Sequence, residues 1–395
     1  MRMKRLSQSG CYRGRSGGFR RGFTLFELLI AALVASFLIT LVYMIYIKAA
    51  RTFGVQNMTM EMQSRARFGL EHLRRDLANA GFNTTPNSTI DSNLCQKPTA
   101  GLRALTARLT QNAVPLPGVN TNIAPMEFTL FGDYTGNGEV LYTQSILGST
   151  VTLQPDFKAR ISQAQFEDMF MGGQRRYLRI VDKEQYEHIV EIAGHDYAAG
   201  TISLTSAPPI QTNSQACGIQ GFGEGLEVNS VNFILYRLAL DVRTGAPTNK
   251  VDLVREDVST DGVTVVPGTR LVIAEYVVDL MIYDVVLDTD TTGTQPVLQY
   301  IATNESKQLV TAGGAGLLGT ASTRTQDLRF LTLKMTVRTA EEDPEFFLRA
   351  RQSGTSPIAG FDVDSQMEGA ARTFTLTTRV MMSTLAYRNL KAGAG

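Results

Sequence analysis

The sequence predicts an α+β fold, in which a long N-terminal helix is followed by a large, mainly antiparallel β head. Two observations predict this fold. Twenty residues without charge or proline, Leu28–Ile47, lead without a proline into a segment whose apolar residues keep helical spacing as far as Ala80. After Gly81 the chain becomes rich in Thr, Val, Gly, Asn and Asp, and apolar residues alternate with polar ones over strand-length runs.

The N-terminal leader is basic. Residues 1–22 contain seven Arg or Lys residues and no acidic one, so by the positive-inside rule this end stays in the cytoplasm and the rest is exported. The apolar run that follows would form a helix of about 30 Å, which is enough to cross a bilayer core. A cleaved secretory signal has an apolar region of only about 7–15 residues, so we predict a membrane anchor.

The junction between the leader and the apolar run carries a processing signal. Residues 22–29 read GFTLFELL, and Glu27 is the one acidic residue among them. With the basic leader and the long apolar run, this junction resembles the type III signal of type IV pilins and the related pseudopilins. The resemblance implies that a prepilin peptidase cleaves between Gly22 and Phe23 and methylates the new amino group of Phe23.

Glu27 is predicted to act in assembly. An ionisable group near the bilayer interior costs several kcal/mol unless it is paired, so its presence there indicates a function. The expected partner is the free amino group of Phe23, in the same chain or in a neighbouring subunit. The alternative is that Glu27 extends to the cytoplasmic interface.

The second part of the predicted helix is amphipathic. Between Lys48 and Ala80 there is no proline, and apolar residues recur at spacings of three to five, as one helical face requires. Gly81 supplies a C-terminal stop, so we predict a helix over residues 23–80. A bend at Gly54 is allowed. The predicted apolar face consists of Phe53, Met58, Met62, Ala66, Leu70, Leu73, Leu77 and Ala80.

The head is predicted from eleven strand-like runs and one short helix, Gln163–Met171. It has about 315 residues, so it forms either two packed β subdomains or one with large insertions. A boundary near Gly221–Leu226 divides it into residues 81–225 and 226–395. The predicted strands are Met126–Phe131, Glu139–Thr143, Thr150–Gln154, Tyr177–Val181, Ile189–Ile192, Thr201–Leu204, Val231–Leu240, Val251–Arg255, Leu271–Val286, Leu328–Arg338 and Thr373–Ala386.

Two of the three cysteines are predicted to form a disulfide. Cys11 lies in the leader, which leaves Cys95 and Cys217 in the mature chain. An even pair in an oxidising compartment such as the periplasm favours a disulfide. The alternative is two unpaired thiols, because the sequence does not show whether their Cα atoms come within bonding distance.

Calcium is the one ion for which the sequence offers a candidate loop. Asp133, Thr135, Asn137 and Glu139 place oxygen-bearing side chains at alternate positions around glycines, as the first half of a calcium loop does. The distal glutamate is missing, since position 144 is Gln144. A β-turn that uses Asn137 and the following glycine explains the same residues, so we predict no cofactor.

Other candidate sites are weaker. Residues 288–293 repeat the alternation of oxygen side chains, with the same two interpretations. Residues 218–225 are rich in glycine but lack the strand, helix and Lys-Ser/Thr of a phosphate loop, so a loop between strands is favoured. His188 and His195 lack helical metal spacing, and no nucleophile motif is present, so neither zinc nor catalysis is predicted.

The mature chain is mildly acidic. Without the leader it has 31 basic and 37 acidic side chains, a formal charge of −6, which gives no electrostatic footprint for nucleic acid. Residues 67–82 of the helix and the late runs at 231–237, 251–256, 276–280 and 377–390 are similar to segments of PilW-type minor pilins. We therefore expect a non-enzymatic structural and assembly subunit of this type.

The resemblance also implies partners and a location. Expected partners are the prepilin peptidase, the major pilin, other minor pilins and a tip adhesin. The protein is expected to be a single-pass inner-membrane protein with a periplasmic head before assembly, and then part of a pilus at the cell surface. Pili of this kind serve twitching motility and cell adhesion.

Two alternatives stay open. A minor pseudopilin of type II secretion shares the entire N-terminal signal, although a head of this size is larger than we expect there. The second alternative is a membrane-tethered extracellular β domain with binding or hydrolytic activity of its own.

Overall fold

The computed structural model divides into two compact units, residues 1–57 and 58–395. Helix α1, Leu25–Ala78, contributes residues to both units, and each unit is described separately. The predicted long helix is thereby confirmed. The residues that the structure describes are 24–96, 98, 101–109, 123, 125–136, 138–213, 217–241, 249–289, 297–301, 318, 324–343, 346, 360–363 and 369–387.

The first unit, within the described residues, is the N-terminal part of α1. It contains the one described helix that is long and apolar enough to cross a membrane. Its apolar side chains are exposed rather than packed against protein. An apolar helix with this surface needs lipid or other helices around it.

In the part of the second unit that the structure describes, the end of α1 is joined by two sheets and three short helices. The helices are α2, Phe157–Arg160, α3, Gln163–Met169, and α4, Ser383–Tyr387, with a 3-10 turn at Thr325–Asp327. The larger sheet is formed by β1 Leu94–Gln96, β2 Leu105–Leu109, β3 Met126–Gly132, β4 Leu141–Leu147, β5 Thr150–Leu153, β6 Tyr177–Val181, β7 Glu187–Asp196, β8 Thr201–Leu204, β9 Glu227–Leu240, β10 Val251–Val258 and β11 Leu271–Ala274. The smaller sheet is formed by β12 Val277–Asp288, β13 Leu298–Ile301, β14 Leu328–Arg338, β15 Gly360–Phe361 and β16 Ala371–Met381.

The pairing of these strands is mainly antiparallel, as the sequence predicts; β1 and β7 form the one parallel pair of named strands among the described residues. The main path of the larger sheet is β1-β7-β8-β5-β4-β9-β10-β11, with β6 beside β7 and β9, and with β2 joined to β9 through β3. The smaller sheet has the order β13-β12-β14-β16-β15. Because β9 pairs with β3, β4 and β6, the predicted parts 81–225 and 226–395 share the larger sheet.

The division between the two sheets falls at Tyr276. The sequence predicted one strand over Leu271–Val286, and this is wrong, because the run is split into β11 and β12. Tyr276 has a φ of 56°, in the left-handed region that extended strands do not use. The last predicted strand is also too long, since β16 ends at Met381 and α4 follows.

The core of the second unit lies between the end of α1 and both sheets. One cluster joins Leu70, Leu73 and Leu77 to side chains of the larger sheet and of the smaller sheet. Six of the eight predicted face residues are buried, from Met62 to Ala80. Phe53 and Met58, at the N-terminal end of this face, are exposed.

Helix α1 ends where its carbonyl groups find partners in the head. Gly81 adopts a φ of 76°, the left-handed conformation that a helix stop requires, and its N–H donates to the Phe131 carbonyl at 2.8 Å. The Thr384 hydroxyl donates to the Ala78 carbonyl at 3.2 Å. The glycine stop that the sequence predicts is therefore present.

Candidate functional site

The first described residues of the chain form a reciprocal cap on α1. The Glu27 N–H donates to the Thr24 hydroxyl oxygen at 3.3 Å, and the Glu27 carboxylate accepts from both the N–H and the hydroxyl of Thr24 at 3.0 Å. This is the geometry of a capping box, which satisfies helix donors that otherwise have no partner. Gly22 and Phe23 lie outside the described residues, so the cleavage position and the Phe23–Glu27 pair remain predictions.

Two hydroxyl groups in the apolar run beyond Glu27 donate to carbonyl groups of the same helix. The Ser36 hydroxyl donates to the Leu33 carbonyl at 2.8 Å, and the Thr40 hydroxyl donates to the Ser36 carbonyl at 2.9 Å. Backbone groups within a helix are paired with one another, and hydroxyls that bond back to the helix need no water. These two hydroxyls can therefore lie in lipid or among other helices without being left unpaired.

Small side chains recur along the same segment. Ala32, Ser36 and Thr40 follow one another at intervals of four residues, which places them close together on one side of a helix. Small residues in this spacing allow the backbones of two helices in lipid to approach closely. We did not use this pattern in the sequence analysis, although the interval of four residues would have revealed it.

The second part of α1 is fixed to the head by a polar cluster around Asp76. The Tyr236 hydroxyl donates to the Asp76 carboxylate at 2.6 Å, and Arg255 Nε donates to the same oxygen at 3.1 Å. The Tyr134 hydroxyl donates to the Asp76 carbonyl at 3.0 Å. His72 Nδ1 lies 2.9 Å from the Tyr236 hydroxyl. These contacts select one rotation of the helix against β9 and β10.

Burial governs the titration of this cluster. It raises the pKa of Tyr236, and the neighbouring Asp76 carboxylate raises it further, so the hydroxyl stays protonated and donates. Burial also lowers the pKa of His72, and this outweighs the opposite effect of Asp76. The cluster was missed by the sequence analysis, because its members come from α1, β9, β10 and the segment between β3 and β4.

The calcium candidates are not brought together. The Asp133 carboxylate accepts from the Gly136 N–H at 2.8 Å and from Asn83 Nδ2 at 3.2 Å, as in a side-chain-capped turn. The Thr135 hydroxyl lies 3.3 Å from the Ser230 hydroxyl. Glu139 pairs with Arg160 at 2.8 Å, and Asn137 lies outside the described residues.

Asp133 is buried, and this changes its titration. Burial raises its pKa from 3.8 to about 6, against the lowering effect of its hydrogen bonds and of Arg179. Among the residues that the structure describes, no group of three or more His, Cys, Asp or Glu side chains is arranged to hold a metal ion. In the second candidate loop, Asp288 pairs with Arg329 at 3.1 Å, and residues 290–293 lie outside the described residues.

The two histidines of the head are also separate. His188 is fully buried, and its Nε2 lies 3.2 Å from the Asp182 carboxylate. Burial lowers the pKa of His188 in spite of that partner. His195 lies seven residues further along β7, about 23 Å at strand rise, and packs against the ring of Phe166. Together they form no site.

A disulfide joins Cys95 to Cys217, with the two Cα atoms 5.4 Å apart, which is an ordinary separation for such a bond. It ties β1, which pairs with β7, to the loop that precedes β9. That loop contains the glycine-rich stretch, and Gly218, Gly221, Gly223 and Gly225 all have positive φ angles. The stretch is an irregular connection between strands and does not begin a helix, so it is no phosphate loop.

Comparison with known protein families identifies a motif at the N-terminus. Residues 19–43 match the prokaryotic N-terminal methylation motif, and this range includes Gly22, Phe23, Glu27 and most of the apolar run. No curated protein and no solved structure matches the chain. The motif and the exposed apolar helix together indicate a membrane-anchored protein that is similar at its N-terminus to type IV pilins and pseudopilins.

Proposed function

We propose that this pilin-like chain is a minor type IV pilin of the PilW type, a structural and assembly subunit without enzymatic activity. One observation carries the proposal: the methylation motif at residues 19–43 leads directly into an apolar helix whose side chains are exposed. The apolar side chains of such a helix are removed from water only when lipid or other helices surround it. Type IV pilins use such a helix first as a membrane anchor and then as an assembly element.

The apolar helix would exchange lipid for neighbouring helices during assembly. Lipid tails are as apolar as leucine, so association in the membrane depends on close packing and polar contacts rather than on expulsion of water. Ala32, Ser36 and Thr40 permit close approach. Glu27 supplies a polar contact, because a methylated amine on Phe23 remains basic and would pair with its carboxylate.

The polar cluster at Asp76 supports the same function from the other end of the helix. It holds the last turns of α1, which belong to the second unit, against β9 and β10, so the end of the helix is fixed to the head. The proposed partners are the prepilin peptidase, the major pilin, other minor pilins and a tip adhesin. The proposed route runs from the inner membrane, with the head in the periplasm, to a pilus that serves adhesion or twitching motility.

The first test is the N-terminal mass of the protein isolated from the membranes of its own host. We expect a chain that begins at N-methylated Phe23. An intact leader, or a chain cleaved beyond Ile47, would contradict the proposal, because neither product could present Glu27 next to a free amino group.

The second test separates assembly from processing. Glu27→Ala is expected to leave cleavage intact and to reduce the number of surface pili several-fold, because the polar contact between helices is lost. Glu71→Ala is the matched control, since Glu71 is an exposed glutamate on the same helix and pairs only with Arg74, at 2.6 Å, in the described residues. Wild-type pilus numbers in the Glu27 variant would refute the assigned role.

The same strain distinguishes the two alternatives. Loss of secreted enzymes with normal pili would identify a type II secretion pseudopilin, which shares the motif. Hydrolysis or binding of glycans by the purified full chain, unaffected by Glu27→Ala, would identify a tethered β domain. We expect neither result.

A further inference from the structure

The outer edge of β16 is longer than the other strands at the borders of the described sheets. The strands β1, β2, β11 and β13 also lie at borders and have three to five residues each, whereas β16 has eleven. In the described part of the chain, β15 covers β16 at Ala371 and Arg372. A long uncovered strand invites pairing with another strand, so proteins usually shorten or block such edges. We refer to residues 373–381 of β16 as the free edge.

The backbone of the free edge points alternately towards β14 and away from it. At one end the Thr339 N–H donates to the Arg372 carbonyl at 2.9 Å, and at the other the Met382 N–H donates to the Arg329 carbonyl at 2.9 Å. Even-numbered residues of β16 therefore bond to β14, and odd-numbered residues present their N–H and C=O groups to the outer side. The outward residues that have no backbone partner in the described part of the chain are Thr375, Thr377, Arg379 and Met381.

The free edge lacks the features that block such pairing. Its residues pair with β14 in one continuous register, without a bulge. It contains no proline and no lysine, and Arg379 is its one charged residue. The Arg379 guanidinium lies 4.5 Å from the centre of the Phe330 ring, so this side chain is directed back towards β14. Thr377 is exposed and Met381 is 56% exposed. Another strand could therefore add to this side of the sheet.

The two faces of the free edge differ in polarity. On one face Phe374 and Leu376 are half-buried and pack at the border of the core that joins both sheets. The other face is formed mainly by threonines, and the Thr375 hydroxyl lies 2.8 Å from the Thr336 hydroxyl of β14. A strand that extends this sheet should therefore be apolar on one face and polar on the other. The free edge itself has this pattern.

We propose that the free edge pairs in antiparallel fashion with the free edge of a second copy of this chain. A two-fold axis perpendicular to the sheet keeps the apolar faces of both copies on one side. With Thr377 of the two copies opposite each other, odd-numbered residues face odd-numbered ones, so the outward N–H and C=O groups meet. Arg379 then faces Thr375 of the second copy, and the two arginines stay apart.

This register also fits the length of the free edge. All nine residues of each copy are used, and the pairing stops where β15 begins. A register with Leu376 on the axis would place Met381 opposite Ala371, which β15 already occupies. Threonines that face each other across strands stabilise the pairing. The axis at Thr377 is therefore the position that the covered and uncovered residues of β16 favour.

This pairing goes beyond the role of the N-terminal helix. All residues of the free edge belong to the second unit, and none contributes to cleavage, to the membrane span or to Glu27. An edge contact buries less surface than a standard dimer interface, but anchoring of both copies in one membrane raises their effective concentration. Variants of the free edge should leave the N-terminal mass unchanged. Failure of the pairing and failure of the pilin proposal therefore give different results.

The first test is disulfide cross-linking of the full chain in the membranes of its host, under mild oxidation. In the proposed register the Cα atoms of residue 377 in the two copies lie about 5.5 Å apart, so Thr377→Cys should give a covalent dimer. Thr375→Cys is the matched control, because its two copies would be about 15 Å apart. Mass spectrometry should find a peptide that joins two copies of position 377. Wild type, whose Cys95 and Cys217 are already joined, gives the background.

The second test needs no cysteine and measures dimerisation of the full chain in detergent by sedimentation. Thr375→Glu would face Arg379 of the second copy twice in each dimer, so it should dimerise about two- to tenfold more tightly than Thr375→Gln. Thr375→Lys should dimerise more weakly than Thr375→Gln by a similar factor. A native unfolding midpoint in each variant establishes that the head has kept its fold.

Four results would overturn the proposal. These are equal cross-linking at positions 375 and 377, an adduct with another protein, a yield no higher than that of wild type, and equal dimerisation of the Glu, Gln and Lys variants. The charge series keeps the proposal testable even if a cysteine variant fails to fold.

Discussion

The two parts of helix α1 contain similar residues in opposite surroundings. Leu33, in the N-terminal part, is 69% exposed, whereas Leu73, in the C-terminal part, is fully buried against the sheets. Both parts are helical, and both are rich in leucine. The difference is that the chain supplies its own cover for one part and none for the other. The uncovered part needs lipid or other helices around it.

The second unit buries most of its large apolar side chains against its own residues, whereas the described part of the first unit leaves them exposed. The end of α1 has apolar partners, an Asp76 cluster and a capped terminus within its own chain. The N-terminal part has its hydrogen bonds but no packing. Changes in the head should therefore alter the free energy of unfolding, while changes in the N-terminal part should alter membrane insertion and assembly.

The largest effect is expected from the disulfide. Replacing Cys95 and Cys217 together by serine removes a cross-link between residues 122 apart, which is worth about 4–5 kcal/mol in the chain-entropy description. Denaturant unfolding of the purified full chain in detergent should show this loss. Extraction from membranes by detergent or alkali should not change, because the span is untouched. A variant of unchanged stability would show that the loop and β1 are held by other contacts.

A matched pair of leucines tests the comparison directly. Leu73→Ala should lower the free energy of unfolding by about 2–5 kcal/mol, because it leaves a cavity in the core. Leu33→Ala should change it by less than about 0.5 kcal/mol, since no packing is lost within the chain. Similar losses in the two variants would mean that the N-terminal part also packs against its own chain.

Features whose residues lie close together in the sequence could be predicted. The junction at Gly22, Phe23 and Glu27 is contiguous, so its residues could be read together, and the helical spacing identified Leu70, Leu73 and Leu77. The exposure of Phe53 could not be predicted, because spacing shows which residues share a face but not where the head that covers them begins. The amphipathic pattern simply continues past the last strand that packs on it.

Long-range contacts could not be predicted. Tyr236 meets Asp76 across 160 residues of sequence, and neither residue has a local signal for the other. The split between β11 and β12 depends on a left-handed Tyr276, where a sequence argument expects glycine.

The pH dependence of the free energy of unfolding tests a buried polar group of the head, Asp133, which lies close to the end of α1. Its folded-state pKa of about 6 exceeds the usual 3.8 because the carboxyl is buried. The stabilisation that this protonated carboxyl provides is complete below 3.8 and is lost as the pH rises through about 6. The shift corresponds to about 3 kcal/mol at most. Asp133→Asn stays neutral, so it should be more stable than wild type by about 2 kcal/mol near pH 8.

The pH series contains its own control. Near pH 4 the wild-type protein and Asp133→Asn should have similar stabilities, because both side chains are then neutral. Burial lowers the pKa of His188 below 6.5, so this histidine removes stability as the pH falls below 6.5, in both proteins alike. The difference in free energy of unfolding between wild type and Asp133→Asn at each pH therefore reports the titration of Asp133 alone. A gap that does not change with pH would show that the carboxyl titrates normally.

The smallest effects are expected from alanine substitutions at two glycines of α1. The substitution should destabilise the C-terminal part of the helix and favour helix formation in the N-terminal part. At Gly69 an added Cβ would lie 2.9 Å from both Ala274 Cβ and Met335 Cε, and the alanine methyl has no freedom to move away. Overpacking of about 1–3 kcal/mol should exceed the helix propensity of about 1 kcal/mol that alanine adds. Gly69→Ala should therefore destabilise the head by about 1 kcal/mol in denaturant unfolding.

At Gly54 nothing lies within 4 Å of the added Cβ, so Gly54→Ala should only raise the helical circular dichroism of the full chain. Destabilisation by both substitutions would mean that Gly54 is packed or bent in the membrane, and the contrast between the two parts of α1 would then fail at that position.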